Sequence, residues 1–89
     1  MAQVRFTSWL REYGPKGPVS ASGATVGEVL GAVFAAEPQL RGYLLDDQGR
    51  LRKHVCIFAD GERLTHDVAL DHRIRPQAQL YVMQALSGG

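Results

Sequence analysis

The feature that most constrains this sequence is one amphipathic helix that begins at Thr25. Residues 25–28 have the spacing of a capping box, in which the Thr25 hydroxyl and the Glu28 carboxylate each satisfy a free backbone N–H at a helix start. Pro38 ends the helix near Glu37. The apolar residues between these limits recur at the spacing of one helical face: Val26, Val29, Leu30, Val33 and Phe34. We therefore predict a helix over residues 25–37 with one face buried in a core.

Two short strands are predicted before this helix. Val4, Phe6 and Leu10 lie at alternating positions, and this period of two places one face of a strand on a core. Residues 14–18 collect glycine and proline, which favour turns, and residues 19–22 alternate again. This pattern predicts a β-hairpin that leads into the helix.

The segment after the helix is predicted to form a loop and then a second hairpin. Residues 40–53 contain apolar positions without a sustained period, and we expect them to be mostly loop. Residues 54–59 are rich in β-forming side chains, and the Asp60-Gly61 dipeptide suits the positive backbone angles of a tight hairpin turn. Residues 62–65 are the predicted returning strand.

The last strand is predicted at residues 79–86, after an irregular stretch around residues 71–76. Within this strand, Leu80 and Val82 share one face. The order of elements is strand, strand, helix, strand, short strand, strand. A single sheet with the helix on one face buries these apolar stripes best, so the predicted fold class is α+β.

Size and composition exclude several classes of protein. A chain of 89 residues, 45% of them apolar and 21% charged, fits one ordinary globular domain. A formal net charge of +1 supplies no clustered positive field for nucleic-acid binding. No export signal is recognised, and no segment approaches the roughly 20 apolar residues of a membrane span. The lone Cys56 excludes an internal disulfide and fits a reducing compartment, so we expect a cytoplasmic protein that binds neither nucleic acid nor membrane.

Three segments carry a resemblance to a known family. They are residues 19–30, residues 55–61 and residues 80–89, the last of which ends in Gly88-Gly89. With the order of elements, they make the chain similar to the MoaD/ThiS family of ubiquitin-like sulfur carriers. The resemblance implies a β-grasp fold, a mixed sheet of four to five strands with one main helix packed on one face. The pattern is most similar to the carriers of cysteine or thioacid-siderophore biosynthesis. Residues 75–78 depart from the family's usual acidic, glycine-containing turn.

The resemblance implies that the function lies in Gly89. Its carboxylate would be adenylated by an ATP-dependent activating enzyme and converted to a thiocarboxylate, which donates sulfur to a downstream sulfur-accepting synthase. The chain would then be a carrier rather than an enzyme, with no bound cofactor or metal and with ATP used by its partner. Gly88 and Gly89 suit this role because glycine permits close backbone approach in a narrow active site. The domain is expected to span residues 1–86 and the tail residues 87–89.

A docking surface is predicted on the outward face of the sheet. If the alternate positions of the third and last strands face the core, then Phe58, Tyr81 and Met83 face outward, with Leu86 near the tail. Exposed aromatic and methionine clusters often mark docking surfaces, whereas scattered exposed apolar residues are common on any protein. These four residues are therefore predicted to contact the activating enzyme.

Other reactive side chains form no comparable pattern. The three histidines share no metal-ligand spacing, and Cys56 lies in a predicted strand that offers its thiol no electropositive setting. The remaining charged clusters are interpreted as solvated loops, at Asp46, Asp47, Arg50, Arg52 and Lys53.

Two other functions stay open. A ubiquitin-like protein modifier, joined through Gly89 to lysine amines of target proteins, would use the same tail. A non-catalytic binding module would not, so deletion of Gly88 and Gly89 would leave its activity intact.

Overall fold

The structure is a computed structural model that describes residues 1–6 and 17–84. These residues form five strands, two α-helices and one 3₁₀ segment at His66–Asp71. The strands are β1 (Ala2–Phe6), β2 (Val19–Ala21), β3 (Val55–Ala59), β4 (Glu62–Arg63) and β5 (Gln79–Gln84), and the helices are α1 (Val26–Ala36) and α2 (Gln39–Leu44). The predicted positions of Leu10, residues 14–16 and residues 85–86 lie outside the described residues.

The strands form one mixed sheet in the order β2-β1-β5-β3-β4. β1 and β5 are parallel neighbours, and the other three pairs are antiparallel. The first and last described strands therefore lie side by side in the middle of the sheet, while β2 and β4 form its edges. β1 pairs antiparallel with β2 and β3 pairs antiparallel with β4, as the two predicted hairpins require.

The helix α1 agrees closely with its prediction. Thr25 is the N-cap, and its Oγ1 accepts a hydrogen bond from the Glu28 N–H at 3.2 Å. The Glu28 carboxylate accepts instead from the N–H of Ala24, at 3.0 Å, one residue before the position that a capping box predicts. The N–H of Val26 donates to the His72 carbonyl, so a distant segment satisfies part of the helix start. All five residues of the predicted stripe are buried.

The core lies between α1 and one face of the sheet. Side chains of alternate strand positions are buried against the helix, because the period of two sends them all to one side. They are Ala2, Val4 and Phe6 on β1, Val55, Ile57 and Ala59 on β3, and Leu80 and Val82 on β5. No buried polar side chain is found among the described residues.

The prediction of mostly loop over residues 40–53 is wrong at its start. Pro38 ends α1 but also begins α2, since the first positions of a helix need no N–H donor. Leu40 and Leu44 are fully buried and anchor this short helix to the core. The backbone N–H of Arg52 donates to the Leu44 carbonyl at 2.9 Å, and the Arg52 Nε donates to the Gly42 carbonyl at 2.9 Å. These partners are distant in sequence, so no local pattern reveals them.

The second hairpin has the predicted turn but a shorter returning strand. Asp60 and Gly61 have φ angles of 50° and 87°, the positive values that this dipeptide was expected to supply. The returning strand ends at Arg63 rather than continuing to residue 65, and Leu64 then turns its side chain into the core. Within the described part of the chain, no helix is both long enough and apolar enough to cross a bilayer.

Candidate functional site

The candidate site begins where β5 ends. β5 lies between β1 and β3, and its last residue, Gln84, pairs with Val55. The sequence continues for five residues after Gln84, ending in Gly88-Gly89. Residues 85–89, and with them the predicted site residues Leu86, Gly88 and Gly89, lie outside the described residues. Their role therefore stays a prediction.

The outward face of the sheet carries an aromatic pair at its centre. Phe58 on β3 and Tyr81 on β5 are direct cross-strand partners, and residues paired in this way hold their side chains in contact distance. Phe58 is half-buried, and Tyr81 is 38% exposed. Two of the three predicted outward residues are thus brought together by the pairing of β3 with β5.

Met83 lies on the same face, two positions after Tyr81. Its partner across the strands is Cys56, and both side chains are half-buried. Cys56 is a free thiol that forms part of this surface rather than of the core. The structure therefore places Phe58, Tyr81 and Met83 on one outward face, as their parity predicted, and their contact with an activating enzyme stays a prediction.

An arginine stands at each end of the aromatic pair. Arg5 on β1 is the partner of Tyr81, and its Cζ lies 5.8 Å from the centroid of the Tyr81 ring. This is within the distance at which a guanidinium is attracted to an aromatic face. Arg63 on β4 is the partner of Phe58. A single row across four strands therefore reads Arg5, Tyr81, Phe58, Arg63, and we call it the aromatic row.

The places of the two arginines beside the aromatic pair could not be predicted from the sequence. The outward parity of Arg5 follows from the alternation along β1, but its place beside Tyr81 requires the parallel pairing of the first and last strands. Arg63 reaches the row only because the Asp60-Gly61 turn fixes the register of β4 on β3.

The start of β5 is held by an ion pair with the hairpin turn. Arg75 donates from Nε and Nη2 to the two carboxylate oxygens of Asp60, at 3.0 and 3.1 Å. The N–H of Gln79 donates to the same carboxylate at 3.0 Å, and the Asp60 N–H donates to the Gln79 carbonyl at 2.8 Å. The Arg75 guanidinium, and after it the Gln79 N–H, hold the pKa of the Asp60 carboxyl below its usual range. The departure from the family pattern at residues 75–78 thus supplies Arg75, whose ion pair with Asp60 connects the start of β5 to the turn between β3 and β4.

The charged loop after α2 is organised rather than merely solvated. Asp46 accepts hydrogen bonds from the N–H groups of Gln48 and Arg50, each at 2.9 Å, and its carboxylate lies 3.4 Å from the Arg50 Nε. The hydrogen bond from the Arg50 N–H is the main cause that lowers the pKa of the Asp46 carboxyl. The ring Nε2 of His66 lies 2.9 Å from the Arg52 carbonyl oxygen. Among the described residues, no three His, Cys, Asp or Glu side chains are grouped to hold a metal ion.

Solved structures share this fold over nearly the whole chain. A chain in the Amycolatopsis orientalis BexX/CysO complex is 22% identical, with a TM-score of 0.86 and all of both chains covered. Mycobacterium tuberculosis CysO is 26% identical, with a TM-score of 0.84 over 97% of this chain and 100% of that chain. SAMP1, small archaeal modifier protein 1, from Haloferax volcanii is 24% identical, with a TM-score of 0.78 over 99% of this chain and 98% of that chain. The sequence matches no family model, and no curated protein matches it significantly.

The chain has the β-grasp fold of these ubiquitin-like proteins. The predicted resemblance to sulfur carriers of the MoaD/ThiS type is confirmed, because its structural neighbours are of that type. The predicted mixed sheet is confirmed with five strands, and α2 and the 3₁₀ segment accompany the main helix.

Proposed function

We propose that this protein is a sulfur carrier whose Gly89 carboxylate is activated by a partner enzyme. The observation that carries the proposal is a β-grasp domain whose central strand β5 leads, five residues later, to Gly88-Gly89. Similarity to CysO supports the general class of carrier. The chain then acts as a co-substrate rather than as a catalyst.

The chemistry explains why a partner and ATP are needed. A carboxylate is a poor electrophile, so one of its oxygens first attacks the α-phosphorus of ATP, which releases pyrophosphate and forms an acyl adenylate. A sulfur nucleophile then forms a C–S bond to the carbonyl carbon while the C–O bond to AMP breaks. The product is a thiocarboxylate, which later gives its sulfur to an acceptor. Both glycines lack a side chain that would obstruct entry into the partner's active site.

The sheet face is the surface that would hold the partner while the tail reacts. Phe58, Tyr81 and Met83 form an apolar strip on the strand that leads to the tail and on its neighbour. Docking on this strip would bring the end of β5 to the partner in one orientation. Leu86 would extend the contact towards Gly89.

Intact-protein mass spectrometry tests the proposal. The parent chain is incubated with the activating enzyme of its own organism, ATP and sulfide, and we expect a gain of about 16 Da as sulfur replaces one oxygen of the carboxylate. Deletion of Gly89 should abolish the gain, and thermal unfolding should be unchanged because chain ends contribute little packing. Met83→Glu should slow the reaction by raising the concentration of carrier needed for half-maximal rate. Activation of the deletion variant, or no activation of the parent, would reject the carrier assignment.

Protein modification is the second candidate, favoured by the similarity to small archaeal modifier protein 1. It uses the same activated Gly89 but ends in an amide bond to a lysine. Lysines that carry a Gly-Gly remnant after proteolysis of the organism's proteins would favour the modifier. A thiocarboxylate consumed together with a metabolite would favour the carrier.

A further inference from the structure

The charges of the outward sheet face differ from those of the chain as a whole. The chain has 10 basic and 9 acidic residues, so its net charge is close to zero. On the outward positions of the described strands, however, the charged side chains are Arg5 and Arg63, and no carboxylate of these strands lies beside either of them on that face. The other described strand residues with this parity are uncharged: Gln3, Ser20, Cys56, Phe58, Gln79, Tyr81 and Met83.

Strand pairing sets the separation of the two arginine Cα atoms. They stand at the ends of the aromatic row, three strand spacings apart, which is about 14 Å between their Cα atoms. Arg5 lies beside the Tyr81 ring, with its Cζ 5.8 Å from the ring centroid, so its guanidinium is on the surface that a partner would cover. A guanidinium in this position can pair with a carboxylate in bidentate geometry.

We infer that the partner surface for the aromatic row is an apolar contact flanked by two carboxylates, which pair with Arg5 and Arg63. The inference rests on the proposed function, since it specifies the activating enzyme's docking surface. A partner with basic residues at these positions is rejected by like-charge repulsion, so the row selects among enzymes as well as binding one.

The same charges disfavour a second copy of this chain as the occupant. In a twofold dimer through this face, each subunit presents the same patch to the other, so arginines would face arginines over the apolar centre. A partner with carboxylates at these positions is attracted to the arginine at each end of the aromatic row. Attraction between the two surfaces also speeds encounter, and this effect depends on salt because the screening length falls from about 30 Å at 0.01 M to about 8 Å at 0.15 M.

Association kinetics with the enzyme that thiocarboxylates Gly89 test the inference. We expect the double variant Arg5→Glu/Arg63→Glu to associate about tenfold or more slowly than the parent at low salt, with a smaller difference at 0.15 M. The double variant Arg5→Lys/Arg63→Lys keeps the charge, so its association rate should stay close to that of the parent, whereas its complex should dissociate faster because an ammonium group cannot make the bidentate contact. Arg41→Glu is the matched control, because it reverses an exposed arginine on α2, on the other side of the sheet, and should have a much smaller effect.

The outcomes separate the two proposals. If the parent is thiocarboxylated but the Arg5 and Arg63 reversals associate as fast as the parent, or no more slowly than Arg41→Glu, the acidic partner surface is wrong while the carrier function stands. The acidic partner surface would also be overturned if the parent self-associates and Met83→Glu abolishes this self-association. If the parent neither binds nor reacts with the enzyme, the proposed function fails and the inference falls with it. Thermal unfolding of each variant confirms that a slow rate does not come from a lost fold.

Discussion

Replacing Leu30 by Ala tests the core on which the fold depends. Leu30 lies on the buried stripe of α1 and is 1% exposed, so truncation removes three carbons from a site without access to solvent. Leu-to-Ala changes at such sites cost about 2–5 kcal/mol, through lost transfer free energy and the cavity that remains. Alanine has a slightly higher helix propensity than leucine, so any loss comes from packing rather than from the helix itself.

The size of the chain makes this loss easy to measure. An 89-residue domain has a free energy of unfolding of roughly 4–13 kcal/mol, so the variant would lose a large share of it. With an unfolding entropy of about 2.1 cal/mol/K per residue, the melting temperature should fall by roughly 10–25 °C. Urea denaturation followed by circular dichroism gives the change in free energy directly, with an unchanged dependence on urea concentration. A midpoint equal to that of the parent would mean that α1 does not bury this face.

Further predictions concern the helix glycines and the Asp60 ion pair. Gly31→Ala should stabilise α1 by about 0.5–1 kcal/mol, because its Cβ would meet no atom within 4 Å. Gly27→Ala should stabilise the fold less than Gly31→Ala or destabilise it, because its Cβ would lie 3.0 Å from the Leu70 carbonyl oxygen. Equal increases in the free energy of unfolding for the two variants would contradict this packing. The lowered pKa of the Asp60 carboxyl means that its ion pair stabilises the fold above the unfolded pKa of about 3.9, and this contribution is lost as pH falls through the lower, folded pKa. Asp60→Asn tolerates the positive φ but removes the charge, so its stability should fall less than the parent's between pH 7 and pH 2; parallel pH curves would refute the assignment.

Elements with a strong local pattern were predicted well. The α1 helix follows from its capping residues and its five-residue stripe, both of which are encoded within a dozen positions. The Asp60-Gly61 turn follows equally, since few other dipeptides adopt two positive φ angles at low cost. The α2 helix was missed because it is only six residues long and its carbonyls are satisfied by Arg52, far along the chain.

The candidate site also has one part that the sequence predicts and one part that depends on strand pairing. The outward parity of Phe58, Tyr81 and Met83 could be predicted, because alternation along a strand is a local property. The aromatic row could not, because the neighbours of each residue depend on which strands pair and in what register. Arg5 and Tyr81 are 76 positions apart in sequence, and only the parallel pairing of β1 with β5 brings them together.

The sequence by itself therefore determined the main helix, the approximate positions of the strands, their buried faces and the presence of Gly88-Gly89. The tertiary structure decided the order of strands, the ion pair between Asp60 and Arg75, and the arginines that flank the aromatic pair. The physical reason is that backbone angles and side-chain alternation act over a few residues, whereas strand pairing is chosen by burial of all the apolar faces at once.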